Sequence, residues 1–272
     1  MMPRLSVLMA VHNGEPWVAG AIESVLAQTF ADFEFLVVND GSTDSTGAML
    51  DACRDPRLRV MHQARAGLTH SLNRAFRLAT ASLVARMDAD DVALPDRFAS
   101  QVEFLEMHPE VGLLGAGCQE IAASGAILKT ITPPASDHAI RRALIRENPF
   151  IHSSIMMRRE VLEAVGLYDE SLRVAQDYDL WLRMSRLTRM ANLTQPLVQR
   201  RLTPGRVSST GDTERLRTEV LVKFRALRYG AYPFWCAIFL ARPLCALAMP
   251  PMLRRLARRV LSRYGSDHAS LR

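Results

Sequence analysis

The stretch Val84-Ala85-Arg86-Met87-Asp88-Ala89-Asp90-Asp91 runs an apolar segment, Ser82 to Met87, straight into three carboxylates. Ionised carboxylates repel one another, so three within four positions at a strand end cost stability unless a cation neutralises them. Donors that are all oxygen favour a hard divalent ion, Mg²⁺ or Mn²⁺, which keeps positions open for phosphate oxygens. An acidic surface turn is the plainer reading of one Asp-x-Asp taken alone. The rest of the chain weighs against that reading.

Upstream, Leu5–Val11 is a continuous apolar run, the pattern of a strand buried on both faces. Asn13-Gly14 breaks it, and Glu15–Gln28 carries Trp17, Ala21, Ile22, Val25 and Leu26 at helical spacing. Phe33–Val38 reads as a second strand ended by Asn39-Asp40-Gly41-Ser42-Thr43-Asp44, with Ser42 or Asp44 expected to cap a helix through Cys53. A strand at Leu58–Met61, a helix over Leu68–Ala79 and the strand Leu83–Met87 continue the alternation. Short loops between alternating strands and helices predict an α/β fold with a doubly wound, mostly parallel sheet flanked by helices. Ligands of such sheets bind beyond the carboxyl ends of the strands. Here those ends are His12–Glu15, Asn39–Ser42, Gln63–Gly67 and Asp88–Asp91, so the polar residues of interest share one edge.

Past Pro95 the expected elements are a helix over Asp96–Met107, a strand Val111–Cys118 paired with Ile127–Ile131, and a helix over Asp137–Arg146. Ile151–Met157, a short helix near Arg159–Val165 and a helix from near Asp177 follow. Gly112, Gly115 and Gly117 imitate a dinucleotide fingerprint, but they lie inside a strand with no helix opening after them, which excludes it.

With 272 residues and 49% apolar content, the chain is long enough for one large α/β domain plus an appendage. The expected division is a domain over 1–210, with halves 1–95 and 96–210, and a helical, basic, apolar tail over 211–272. Cys53, Cys118, Cys236 and Cys245 lack close spacing, which favours a reduced compartment over a disulfide framework or zinc site. The first apolar run is only a strand long, too short for a signal peptide, so a cytosolic protein is expected.

The net charge of +6 is unevenly spread: residues 1–199 hold 19 Lys or Arg against 24 Asp or Glu, and residues 200–272 hold 15 against 4. Phe234–Leu253 is mostly apolar but interrupted by Arg242 and several prolines, and Arg254-Arg255-Leu256-Ala257-Arg258-Arg259-Val260-Leu261 follows. An apolar segment beside a cationic amphipathic one reads as an interfacial anchor on an anionic leaflet rather than a spanning helix. A helical hairpin packed on the domain or a second subunit is the alternative. Few aromatics lie between the tail's charges, which disfavours nucleic acid as the partner.

Four stretches now fall in order: 8–15 (Leu-Met-Ala-Val-His-Asn-Gly-Glu), 37–44 (Val-Val-Asn-Asp-Gly-Ser-Thr-Asp), 87–91 (Met-Asp-Ala-Asp-Asp) and 176–183 (Gln-Asp-Tyr-Asp-Leu-Trp-Leu-Arg). Together, over residues 4–210, they resemble the family-2 inverting glycosyltransferases of GT-A fold. The resemblance implies a nucleotide-sugar donor, usually UDP-linked, and Mn²⁺ or Mg²⁺ as cofactor. It implies Asp40 on the base, Ala10, His12 and Glu15 around the nucleoside, and Asp88 on the ribose directly or through the metal. Asp90 would coordinate the cation. Asp91 is weighed below these two, as a cap of the turn toward Leu94-Pro95.

Asp177 matches the catalytic base, although an N-cap of a helix over Tyr178–Arg186 would suit its position equally. His152, in Asn148-Pro149-Phe150-Ile151-His152-Ser153-Ser154, falls on the acceptor side or is a satisfied structural histidine. Arg201 matches the Arg of a loop that closes over the diphosphate; Thr203 stands where that loop carries His, and Arg206 is a possible substitute. The Gln-x-x-Arg-Trp of processive synthases is absent, which favours single addition. The resemblance and the tail's charge together imply transfer to a hydroxyl of a glycan or lipid-linked glycan in surface polysaccharide assembly, at the cytoplasmic face of the inner membrane. Two alternatives stay open. One is a sugar-phosphate nucleotidyltransferase, which the acidic His12–Glu15 loop argues against; the other is a non-catalytic nucleotide-sugar or nucleic-acid binder.

Overall fold

The computed structural model describes residues 2–202 and 212–250. Its first half alternates as expected: β1 (Leu5–Val11), α1 (Val18–Leu26), β2 (Phe33–Asp40), α2 (Thr46–Ala52), β3 (Leu58–Gln63), α3 (Leu68–Leu78) and β4 (Leu83–Asp88). After a two-residue β5 (Val92–Ala93) come α4 (Arg97–Met107), β6 (Val111–Ile121), β7 (Ile127–Ile131) and α5 (Asp137–Leu144). A 3-10 turn (His152–Ser154), β8 (Met156–Arg158), α6 (Arg159–Ala164), α7 (Gln176–Met184) and β9 (Arg189–Arg201) follow. The described chain ends in α8 (Asp212–Arg228), a second 3-10 turn (Phe234–Leu240) and α9 (Ala241–Ala248).

The strands form one mixed sheet ordered β3-β2-β1-β4-β8-β6-β9-β5, with β7 paired to β6. β3, β2, β1 and β4 are parallel, whereas β8 runs antiparallel to both β4 and β6. The apolar runs of the central strands are explained by burial on both faces. Leu5, Val7, Met9, Phe35, Val37, Ala85 and Met87 pack with α1, α2 and α4. Leu8, Leu36, Val38 and Val84 pack with α3, α5, α7 and α8 on the other face.

Two elements differ from expectation. Ile151–Met157 is a 3-10 turn and only then a strand, because Ser153 and Ser154 are drawn into side-chain bonds described below. Arg201, expected in a closing loop, is the last residue of β9, a strand that its mixed sequence does not announce. The rest of the loop expectation, including Thr203 and Arg206, lies outside the described residues, as does the cationic segment 254–261. Val222 and Ala226 of α8 are buried in the same cluster as Trp181, so α8 packs directly on α7. No helix among the described residues is long and apolar enough to cross a membrane.

Candidate active site

The register puts Ala10 opposite both Val38 and Asp88, and Asp40 opposite Gln63, so the parallel strands end level on one edge. Beyond that edge the first two loops latch reciprocally. Asn13, Gly14 and Glu15 amides donate to Ser42 Oγ, Thr46 Oγ1 and Asp44 Oδ2 at 2.9–3.1 Å. Thr43 and Ser45 amides donate back to Asn13 Oδ1 (2.8 Å) and Glu15 Oε2 (3.1 Å). Glu15, expected at the nucleoside, thus commits one carboxylate oxygen to positioning the loop. His12 Nδ1–H donates to the Asp40 carbonyl at 2.9 Å, which fixes its ring beside β2. Neither Ser42 nor Asp44 is the N-cap of α2; Ser45 is, and Asp44 instead accepts the Thr46 amide at 3.1 Å.

Asp40 is buried and richly bonded. Its Oδ1 accepts from Gln63 Nε2 and the Ala66 amide, and Oδ2 from the Gly67 amide, all at 2.8 Å. Burial alone would raise its pKa, but these donors hold the carboxyl below the usual range. The Ser71 hydroxyl adds to these donors, so the Asp40 carboxylate is held in its ionised, acceptor-only form. The close approach of the 63–67 loop requires Gly41: its φ is +67°, and a Cβ there would sit 2.6 Å from the Arg65 amide nitrogen.

Asp88, Asp90 and Asp91 present carboxylate oxygens within 4.8 Å of one another. Their surroundings include two cations that the motif alone does not single out. Arg86, 2% exposed, forks both Asp88 oxygens with its two terminal nitrogens. Burial pushes the Asp88 carboxyl up, yet the Arg86 charge prevails and holds it at about 2. Beneath lies Arg97, wholly buried, donating to the Arg86 and Ile155 carbonyls at 2.9 and 3.2 Å.

Asp91 is not the cap of the following turn. It is fully buried, with Oδ1 accepting the Arg201 amide at 2.9 Å and Oδ2 bonded to Ser153 Oγ, which also donates to Asp88 Oδ2 at 2.7 Å. Burial, then the negative charges of Asp88 and Asp90, push the Asp91 carboxyl to about 7. An all-oxygen, net-negative donor set of this kind fits a hard divalent cation, with Asp90 and the remaining Asp88 lone pair as the groups to hold it.

Arg201 is held beside the acidic turn: its guanidinium stacks on Trp17, 4.3 Å from the ring centroid, and donates to the carbonyls of Asp90 (3.1 Å) and Ala123 (3.1 Å). Through its amide and side chain together it ties β9 to the acidic turn.

Asp177 lies in the first turn of α7. The helix starts at Gln176 rather than Tyr178, and its N-cap is Ala175, in the left-handed region (φ 54°). Asp177 is therefore not the cap. Its Oδ1 accepts the Tyr178 amide at 2.8 Å, and its Oδ2 accepts Asn148 Nδ2 at 2.7 Å. Burial raises the Asp177 carboxyl above its ordinary value, against the pull of those two donors and of Arg86. A left-handed non-glycine residue two positions before it is strain of the kind found at functional sites.

His152 packs against Tyr168 and Trp181, with ring centroids 5.7 and 6.0 Å away. Burial and the Arg86 charge keep it neutral, well below the usual histidine range, and it shares a 2.8 Å hydrogen bond with the Tyr168 hydroxyl. The structure brings together Ala10, His12, Asp40, Asp88, Asp90 and His152's turn; it adds Arg86, Ser153 and Asn148. Ser153 and Asn148 stand in the stretch around His152, and Arg86 stands within the acidic motif itself. Their positions are therefore visible in the sequence, although their bonds are not.

Comparison with known proteins agrees with this architecture. The model of glycosyl transferase family 2 matches residues 6–166. The amylovoran biosynthesis glycosyltransferase AmsE of Erwinia amylovora is 32% identical over 222 residues, 79% of this chain and 82% of AmsE. S. aureus TarS (1–349), in complex with UDP-GlcNAc, superposes with a TM-score of 0.73 at 20% identity, covering 89% of this chain and 71% of that one. The mannosyltransferase PcManGT of Pyrobaculum calidifontis, in complex with GDP-Man and Mn²⁺, gives 0.64 at 22% identity, covering 96% and 80%. At those identities the two structures speak for the fold, which is GT-A-like. The family match and the AmsE relationship go further: this chain belongs to glycosyl transferase family 2.

Proposed function

We propose that the protein is an inverting, metal-dependent transferase that moves one sugar from a UDP-linked donor to a hydroxyl of a glycan or lipid-linked glycan, in surface polysaccharide assembly. One observation carries the reading: three carboxylates gather at the β4 end, with Asp88 forked by the buried Arg86, and a buried carboxyl of raised pKa, Asp177, opens α7 in the grip of Asn148. In this reading Asp40, Ala10 and His12 hold the nucleoside, and Asp90 with Asp88 holds Mn²⁺ or Mg²⁺. The bound ion supplies Lewis-acid neutralisation of the departing diphosphate. Asp177 takes the proton of the acceptor hydroxyl, whose oxygen bonds the anomeric carbon as the bond to the diphosphate oxygen breaks. Asn148 orients Asp177 through Oδ2, and Arg86 tempers its basicity. His152, neutral and set on Tyr168 and Trp181, is an apolar wall on the acceptor side rather than a proton carrier.

The name of AmsE supports polysaccharide as the acceptor, and the UDP-GlcNAc held by TarS supports a UDP donor. The basic composition of residues 200–272 supports an anionic membrane surface, at the cytoplasmic face of the inner membrane, as the place of work. The test is incubation of purified protein with UDP-, GDP- and dTDP-sugars, with Mn²⁺ or EDTA, reading nucleoside diphosphate release. UDP release abolished by EDTA is expected. Pyrophosphate release from a sugar phosphate and NTP would identify a nucleotidyltransferase instead.

A further inference from the structure

The 3-10 turn Phe234–Leu240 and α9 pack on α8 and on each other. Cys236 is 3% exposed, the Tyr232 hydroxyl donates to the Arg141 carbonyl at 3.1 Å, and the Arg146 guanidinium sits 5.0 Å above the Phe239 ring. Lys223 of α8 reaches the Arg146 carbonyl at 2.8 Å. These contacts fix the turn to α5 and the residues just after it, Arg146 lying two residues before Asn148, the partner of Asp177. Toward solvent the same turn holds out Phe234, Trp235 and Ile238, which are 87%, 70% and 68% exposed. Three large apolar side chains within five residues, on a backbone pinned from behind, are an unusual concentration of apolar area for a surface left in water.

Charge identifies the occupant. Residues 220–250 hold four Lys or Arg and no acid, and Arg228 and Arg242 among them are exposed. A second copy docked on this face would set those exposed arginines against their own kind, which opposes association. An anionic leaflet complements both features: Trp235 suits the headgroup level, Phe234 and Ile238 the acyl boundary, and the exposed Arg228 and Arg242 the lipid phosphates. We infer that the Phe234–Trp235–Ile238 face is the surface that inserts into an anionic bilayer, holding the α5–α7 block, and with it the acceptor side of the site, against the lipid. The inference rests on the proposed lipid-linked acceptor but is tested separately from it.

The experiment uses the full chain with vesicles of phosphatidylglycerol and phosphatidylethanolamine, and with vesicles of phosphatidylcholine alone. Wild type is expected to sediment with the anionic vesicles and weakly with the neutral ones. Its fluorescence should be quenched by brominated acyl chains, and that quenching should vanish in Trp235→Phe. The exposed triple variant Phe234→Ser, Trp235→Ser, Ile238→Ser should lose roughly a hundredfold in partitioning while keeping UDP release from the donor. Wild-type-like sedimentation of the triple variant would overturn the inference, placing the anchor elsewhere. So would a wild-type dimer in lipid-free ultracentrifugation that the triple variant abolishes. Failure of wild type to bind either vesicle would also sink it, whereas UDP release from the donor in the same preparation tests the transferase reading independently.

Discussion

Ser153 has one hydroxyl proton and two carboxylate neighbours, Asp88 and Asp91. It donates to only one of them at a time, so the short contact to the other is eased when Asp91, with a pKa near 7, carries the second proton. Arg86 supplies the compensating charge. Arg86→Met should therefore leave a buried, uncompensated carboxylate and cost about 3–5 kcal/mol, read as a lower urea midpoint. Asp177→Asn is expected to lower transfer by roughly 10²–10⁴ while UDP affinity is kept, measured by single-turnover assay and by calorimetry.

The pH dependence of the same residue has a definite sign. Asp177 has its folded pKa raised, so its protonated form contributes stability below the unfolded value, and that contribution is lost as pH rises through the folded one. At neutral pH the asparagine variant should accordingly melt no lower than wild type, with any gain disappearing in acid. The kcat of wild type should rise with pH on a limb whose midpoint lies above the ordinary aspartate value of about 4.

At the scale of elements, the parallel half of the sheet was legible because strands buried on both faces leave long apolar runs between turn residues. β9 was not legible. Its Asn192, Thr194, Gln195 and Pro196 break any period, and its pairing with β6 shifts register between Ala116 and Cys118. That irregularity depends on Gly117, where a Cβ would meet the carbonyl oxygens of Thr194, Gln195 and Ile131 at 2.7–3.0 Å. Gly117→Ala should destabilise by about 1–3 kcal/mol through crowding, visible as a lower thermal midpoint. The Asp40 clasp on residues 63–67 offers a second check at this scale. Its depressed pKa contributes stability above the unfolded value of about 4, lost as pH falls through the folded one. The difference in stability between wild type and Asp40→Asn should narrow accordingly below that pH.

For the molecule as a whole, the position of α8 governs where the chain can be shortened. Val222 and Ala226 are in the core beside Trp181, and Arg225 pairs with Asp169 at 2.9 Å. A chain ended at residue 210 should therefore lose cooperative unfolding, whereas one ended at 250 should melt cooperatively and release UDP. The form ended at 250 retains the aromatic turn without the cationic segment. Its vesicle binding should be weaker and less dependent on anionic lipid, as sedimentation across lipid compositions would record.

The order and periodicity of residues sufficed to specify the α/β class and the gathering of polar groups on one sheet edge, since parallel strands must deliver their carboxyl ends together. Which of those groups are charged, occupied or poised was decided only in three dimensions. Asp91 meets Ser153 across 62 residues and the Arg201 amide across 110, and Asp177 meets Asn148 across 29. Partners at such separations leave no local pattern, and in a low-dielectric site it is the partner, not the residue type, that sets the charge of an acid.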